Sequence, residues 1–160
     1  MIVNRESSVM SRLSEFRKFI HVSRFTNCFN CMHKSYLVAA SLFGALAVTL
    51  GAFGAHGLKK IVPAETVTTF QTGVQYQMYH ALALLSIAII FERFPTKWVR
   101  WAGTSFITGI ILFSGSLYLL TALKAADKIG MEGVGIITPV GGIFFILGWL
   151  FLFIGIMKKN

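Results

Sequence analysis

The 160-residue chain is 55% hydrophobic, only 13% charged, and carries a formal net charge of +9, with a mean hydropathy of +0.69. A water-soluble domain covers its surface with about 25% charged residues, so half that amount, confined to the ends and short loops, excludes an ordinary soluble fold. Nucleic-acid binding is excluded too, because it needs a basic face on a soluble fold, and these cations flank long apolar runs instead.

Residues 1–32 form a basic N-terminal extension that is either disordered or amphipathic at a membrane surface. Val9, Leu13, Phe16 and Ile20 recur at helical spacing beside Arg12, Arg17 and Lys18, the pattern of a helix lying on anionic lipid. The segment is too polar for the apolar core of a signal peptide. Its Arg and Ser content suits a mitochondrial presequence, against which stand Glu6 and Glu15. Met32-His33-Lys34 also reads as a natural start, which would make residues 1–31 an over-extended translation. Cys28 and Cys31 form a C-x-x-C with His33 beyond it. Haem attachment needs the His directly after the second Cys, where Met32 stands, and zinc or redox use of a lone C-x-x-C has little support.

The first uncharged run, 36–55, has twenty residues, enough to cross a hydrocarbon core of roughly 30 Å. Along it Ala40, Gly44, Ala47, Gly51 and Ala55 form one stripe of small residues, the feature that lets helices approach in lipid. After Lys59 and Lys60, the stretch 63–75 reads as a short amphipathic interfacial helix. Pro63 and Glu65 mark its start, and Val67, Phe70 and Val74 fall at spacings of three and four. The second span, 76–91, is short. The third, 101–123, offers Ser105, Gly109 and Ser116 on one face. The fourth, 138–157, opens with Thr138-Pro139, a hydroxyl N-cap followed by Pro at the first helical position. It spaces Gly141, Gly148 and Gly155 seven apart, a left-handed packing seam. Helices buried in a soluble bundle keep a polar stripe, and these are apolar nearly all round. The fold expected is therefore an all-α integral membrane four-helix bundle spanning residues 33–157.

Eleven cations lie on one side of that arrangement: Arg5, Arg12, Arg17, Lys18, Arg24, Lys34, Arg93, Lys97, Arg100, Lys158 and Lys159. Lys59, Lys60, Lys124 and Lys128 lie on the other. The positive-inside rule then puts both termini in the cytoplasm, with Trp98 and Trp101 as interfacial anchors on that side.

Polar residues gather toward the opposite, outer side. His56 closes the first span there, and Gln75, Tyr76, Gln77, Tyr79 and His80 open the second. Ser114, Ser116 and Tyr118 lie toward the outer end of the third, and Thr138 opens the fourth. An ionisable group within a membrane is a functional candidate, and His80 lies deepest. The competing account is that Tyr and His belong at the boundary, while Gln, Ser and Thr bond helices together. Two His without a carboxylate or thiol do not fill a zinc site, so no metal and no cofactor are expected. No span carries Asp or Glu, which removes a carboxylate proton relay and separates the chain from small four-span multidrug exporters. No nucleophile with a base, phosphate loop or metalloprotease motif occurs, and no enzyme activity is expected.

Four motifs in order, GAFGAHGLKK at 51–60, TGVQYQMYHALALL at 72–85, FSGSLYLL at 113–120 and TPVGGIFFILGW at 138–149, resemble the Domain of Unknown Function 423 family. These are small four-span proteins of bacterial inner membranes, with animal relatives called transmembrane protein 256. The resemblance covers about 33–157, leaves 1–31 outside, and implies a fold and a location but no mechanism. The expectation is a non-catalytic multi-pass protein of the cell inner membrane, or of a mitochondrial membrane in a eukaryote. It would serve as an adaptor for a membrane partner or as a self-associating bundle. The alternative is a small transporter or channel using the polar cluster around His80.

Overall fold

The computed structural model describes residues 34–126 and 132–158. The N-terminal extension with its C-x-x-C, part of the loop at 127–131, and the last two residues lie outside them. The described residues contain helix and no strand. Four helices are long and apolar enough to cross a membrane: α1 at 34–56, α2 at Ala64–Ile90, α3 at Lys97–Ala125 and α4 at Ile137–Met157.

The short links force neighbouring helices to run antiparallel. Between α1 and α2 the chain makes one 3-10 turn, Leu58–Lys60, before Pro63 caps α2. The stretch 63–75 is helical with Val67, Phe70 and Val74 buried, but it is not a separate interfacial helix. It is the first part of α2. Nothing breaks the helix at Gln75, and the hydroxyls of Thr68, Thr69 and Thr72 donate to carbonyls four residues back, so these polar side chains are satisfied within the helix itself. At 27 residues α2 is about 40 Å long. It overshoots a hydrocarbon core of roughly 30 Å, and the apolar stretch 76–91 is short because the first part of the same helix is polar.

Two other boundaries differ from the sequence expectation. The third span starts at Lys97 because Thr96 caps it, its side chain accepting from the Val99 N–H at 3.3 Å. In the fourth, Thr138 is not the N-cap. A 3-10 turn, Glu132–Ile136, leads straight into α4 at Ile137, placing Thr138 and Pro139 inside the first turn. Pro is tolerated there because its missing N–H is one that the helix leaves unpaired.

The tightest packing joins α3 to α4. A Cβ at Gly141 would strike the Phe113 backbone, at Gly148 the Phe106 ring, at Gly155 Val99, and at Gly109 the Phe145 ring. Steps of seven up α4 (141, 148, 155) meet steps of seven down α3 (113, 106, 99), an antiparallel seam in constant register. Lipid tails solvate apolar side chains as well as a neighbouring helix does, so such contacts come from packing of bare backbone, not from escape from water.

Helix α2 occupies the centre, with half of its most apolar window buried against 17% for α1. One core cluster gathers Leu84, Ile87, Val99 and Phe106 with Tyr36 and Ala40 of α1. A second lies under the α1–α2 turn and gathers Leu58, Val67, Phe70 and Val74 with Ala47. Gly44 falls between these clusters, and nothing stands within 4 Å of where its Cβ would be. Gly51 does meet Val74, at 3.3 Å.

Overpacking a tight seam costs about 1–3 kcal/mol, whereas filling open space at a helical glycine gains up to about 1 kcal/mol of helix propensity. Gly141→Ala is therefore expected to lower the thermal unfolding temperature in detergent, while Gly44→Ala leaves it unchanged or raises it. Equal effects of the two substitutions would contradict this packing.

Candidate functional site

The helix α3 is not uniform. Between Lys97–Gly109 and Gly115–Ala125 it widens into a π-helical turn, Ile110–Ser114. Within it the Gly115 N–H reaches the Ile110 carbonyl five residues back. Turns of this kind arise where side chains or a close neighbour intrude on the regular ladder. Here Gly141 of α4 lies so close to the Phe113 backbone that a Cβ on it would collide.

The polar side chains of the bundle interior radiate from this turn. Ser114 is fully buried and donates to the Gly73 carbonyl of α2 at 2.8 Å. One turn on, Tyr118 donates to Gln77 Oε1 at 2.9 Å, and Gln77 Nε2 donates to the Phe43 carbonyl of α1 at 2.8 Å. A single side chain, Gln77, thus joins three helices. The Ser116 hydroxyl gives its proton to the Phe113 carbonyl at 2.9 Å. It therefore accepts from Thr138 Oγ1, 2.7 Å away on α4. Together these bonds form a belt across the bundle from α1 to α4, and each consumes donors that would otherwise face an apolar medium at a cost of several kcal/mol.

Below the belt His80 is buried in an aromatic box. Its ring stacks on Phe145 with centroids 3.5 Å apart and planes 7° from parallel. Phe106, Tyr76 and Trp149 complete the box at 5.3, 6.1 and 6.4 Å. Phe145 can lie there because Gly109 has no side chain in its way. His80 Nδ1 lies 2.8 Å from the Tyr76 carbonyl. A carbonyl only accepts, so Nδ1 carries a proton.

The ten residues singled out from the sequence therefore divide. Gln77, Ser114, Ser116, Tyr118 and Thr138 come together in the belt, and His80 with Tyr76 in the box. His56, Gln75 and Tyr79 are exposed and stand outside both, with the Tyr79 ring tilted against Tyr76 at a centroid distance of 6.3 Å. Sequence reasoning passed over Gln71, which reaches the Gly51 carbonyl at 3.4 Å, and Tyr36, which donates to the Arg100 carbonyl at 2.9 Å. The sequence shows each only as a polar side chain within a long uncharged run. Among the described residues no group of three or more His, Cys, Asp or Glu could hold a metal ion.

Four apolar helices bonded across their interior by a polar belt define a multi-pass α-helical membrane protein. Comparison with known proteins narrows the class. The family described as "Protein of unknown function (DUF423)" matches residues 50–142, and the chain belongs to this family. A UPF0382 membrane protein of Haemophilus influenzae is 42% identical over 129 residues, covering 81% of this chain and 98% of the relative. UPF0382 membrane protein YwdK of Bacillus subtilis is 39% identical, covering 78% and 98%. UPF0382 inner membrane protein YgdD of Escherichia coli K12 is 37% identical, covering 76% and 88%. No solved structure matches the chain.

Interhelical hydrogen bonds in membranes average about 0.6 kcal/mol and reach about 1.7. A double-mutant cycle of Tyr118→Phe and Gln77→Leu, read by reversible unfolding in mixed micelles, is expected to give a coupling within that range. Strict additivity would show that this bond contributes nothing.

Proposed function

We propose that this is a non-catalytic protein of the bacterial inner membrane, with both termini in the cytoplasm, that acts by associating with a second copy of itself. The observation that carries the non-catalytic reading is the belt. Its polar side chains are spent on one another and on main-chain carbonyls of neighbouring helices, which leaves them little capacity to bind a solute or take part in chemistry. The location draws on the Escherichia coli relative, which is named an inner membrane protein, and on the bias of Lys and Arg toward one side.

Self-association finds its support in α1. This helix buries the least of the four, and its outward face is not bulky throughout. Ser41, Ala45, Thr49 and Ala52, spaced four, four and three, are all exposed. The hydroxyls of Ser41 and Thr49 donate to carbonyls of their own helix, so they add no unpaired polar group to a face that another helix can approach closely. Full-length protein in native membrane vesicles is expected to photobleach in two steps, and Ala45→Leu to shift most of it to one step. Single-step bleaching of the unaltered protein would count against self-association and leave the adaptor role, with a different membrane partner.

Transport is the second reading, and the observation favouring it is His80 placed beside a π-helical turn, a feature frequent at functional sites. In liposomes, ion or proton flux that disappears in His80→Phe, which keeps an aromatic ring in the box, would establish a pathway there. Flux that persists in this variant would remove His80 from any pathway.

A further inference from the structure

At the end of the bundle away from the α1–α2 turn, α2 finishes at Ile90, α3 begins at Lys97 and α4 finishes at Met157. Packing of Gly155 on Val99 and Thr96 brings the last turn of α4 against the first turn of α3. Two lysines far apart in sequence thereby converge on one indole. Lys97 Nζ lies 5.5 Å and Lys158 Nζ 5.0 Å from the Trp98 ring centroid. Lys97 also lies 5.9 Å from Trp101. The two indoles meet edge to face at 5.3 Å, and Phe151 of α4 supports both, at 5.9 and 5.7 Å.

Both lysines are exposed, and neither pairs with a carboxylate among the described residues. Of the acidic residues described, Glu92 lies nearest in the chain to this end of the bundle, and Arg93 beside it is exposed. A cation over an aromatic face is attracted by the ring, but two ammonium groups on one indole repel each other. An anion between them removes that repulsion. The position decides which anion. Tryptophan marks the headgroup level of a bilayer, and the half-exposed Trp101 ring (47%) continues the site from the lysines toward the hydrocarbon.

We propose that Lys97, Lys158, Trp98 and Trp101 form a binding site for the headgroup of an anionic phospholipid. The two ammonium groups take the phosphate, and the indoles take the glycerol and the first methylenes of the acyl chains. Long lysine side chains keep their stems on apolar surface and reach outward with the charge, so both can meet one phosphate. Basic pockets between membrane helices bind anionic headgroups in this manner.

The full-length protein in mild detergent is titrated with phosphatidylglycerol, phosphatidylcholine and inorganic phosphate, and bound lipid is counted by native mass spectrometry. Phosphatidylglycerol is expected to bind with one site tighter than phosphatidylcholine. The exposed double substitution Lys97→Gln/Lys158→Gln is expected to cut that preference roughly ten- to thirty-fold, since each lysine near an anionic surface contributes about fivefold. The Lys97→Arg/Lys158→Arg variant, which keeps the charges, retains it. Lys59→Gln/Lys60→Gln, at the opposite end, leaves it intact. Equal binding of the two lipids, an equal loss in the Lys59/Lys60 variant, or full retention in Lys97→Gln/Lys158→Gln would each overturn the site. Inorganic phosphate that competes as strongly as the lipid would overturn the lipid as its occupant.

Discussion

Helices in a bilayer gain little by hiding apolar side chains from one another, so they associate where their backbones can come close. In this protein that approach happens along the α3–α4 seam, where Gly141, Gly148, Gly155 and Gly109 leave room for Phe113, Phe106, Val99 and Phe145. Much of the remaining geometry follows from the seam. The fit of Phe145 into Gly109 gives His80 the flat ring on which it stacks. Contact of Gly141 with the Phe113 backbone puts Thr138 beside Ser116. Contact of Gly155 with Val99 carries Lys158 over Trp98.

The polar belt solves a second problem set by the same solvent. A hydroxyl or amide that cannot reach water must find a partner inside the bundle. The π-helical turn at Ile110–Ser114 lies where those partners are needed, with Ser114 in the turn, Ser116 and Tyr118 just beyond it, and bonds running from them to α2 and α4. Gln77 extends the belt to α1. The most polar interior therefore coincides with the place where α3 departs from regular α-helix.

Much of this was legible in the sequence because lipid imposes composition on long segments. The four spans, the seven-residue glycine spacing of α4 and the helical spacing of Val67, Phe70 and Val74 all show as patterns within one segment. What escaped notice depends on pairing between segments. The length of α2 was hidden because threonines bonded to their own helix look like a polar loop. Thr138 resembled an N-cap because nothing in its own segment shows that Ser116 waits across the seam. Gly44 belongs to a stripe by spacing, yet faces open space, and spacing alone does not distinguish a contact from open space. The π-helical turn has no composition of its own to announce it.

Several of the bonds between helices end on the main chain. Gln77 binds the Phe43 carbonyl, Ser114 the Gly73 carbonyl, Gln71 the Gly51 carbonyl and Tyr36 the Arg100 carbonyl. A carbonyl is present whatever residue carries it, so the accepting side of each bond is indifferent to side-chain identity, and the donor alone is irreplaceable. The helix α1 receives two of these bonds on its backbone, at positions 43 and 51. Its outward side chains are therefore free to change over generations without loosening these bonds to α2, so the surface offered to other membrane components can diversify while the bundle behind it stays the same.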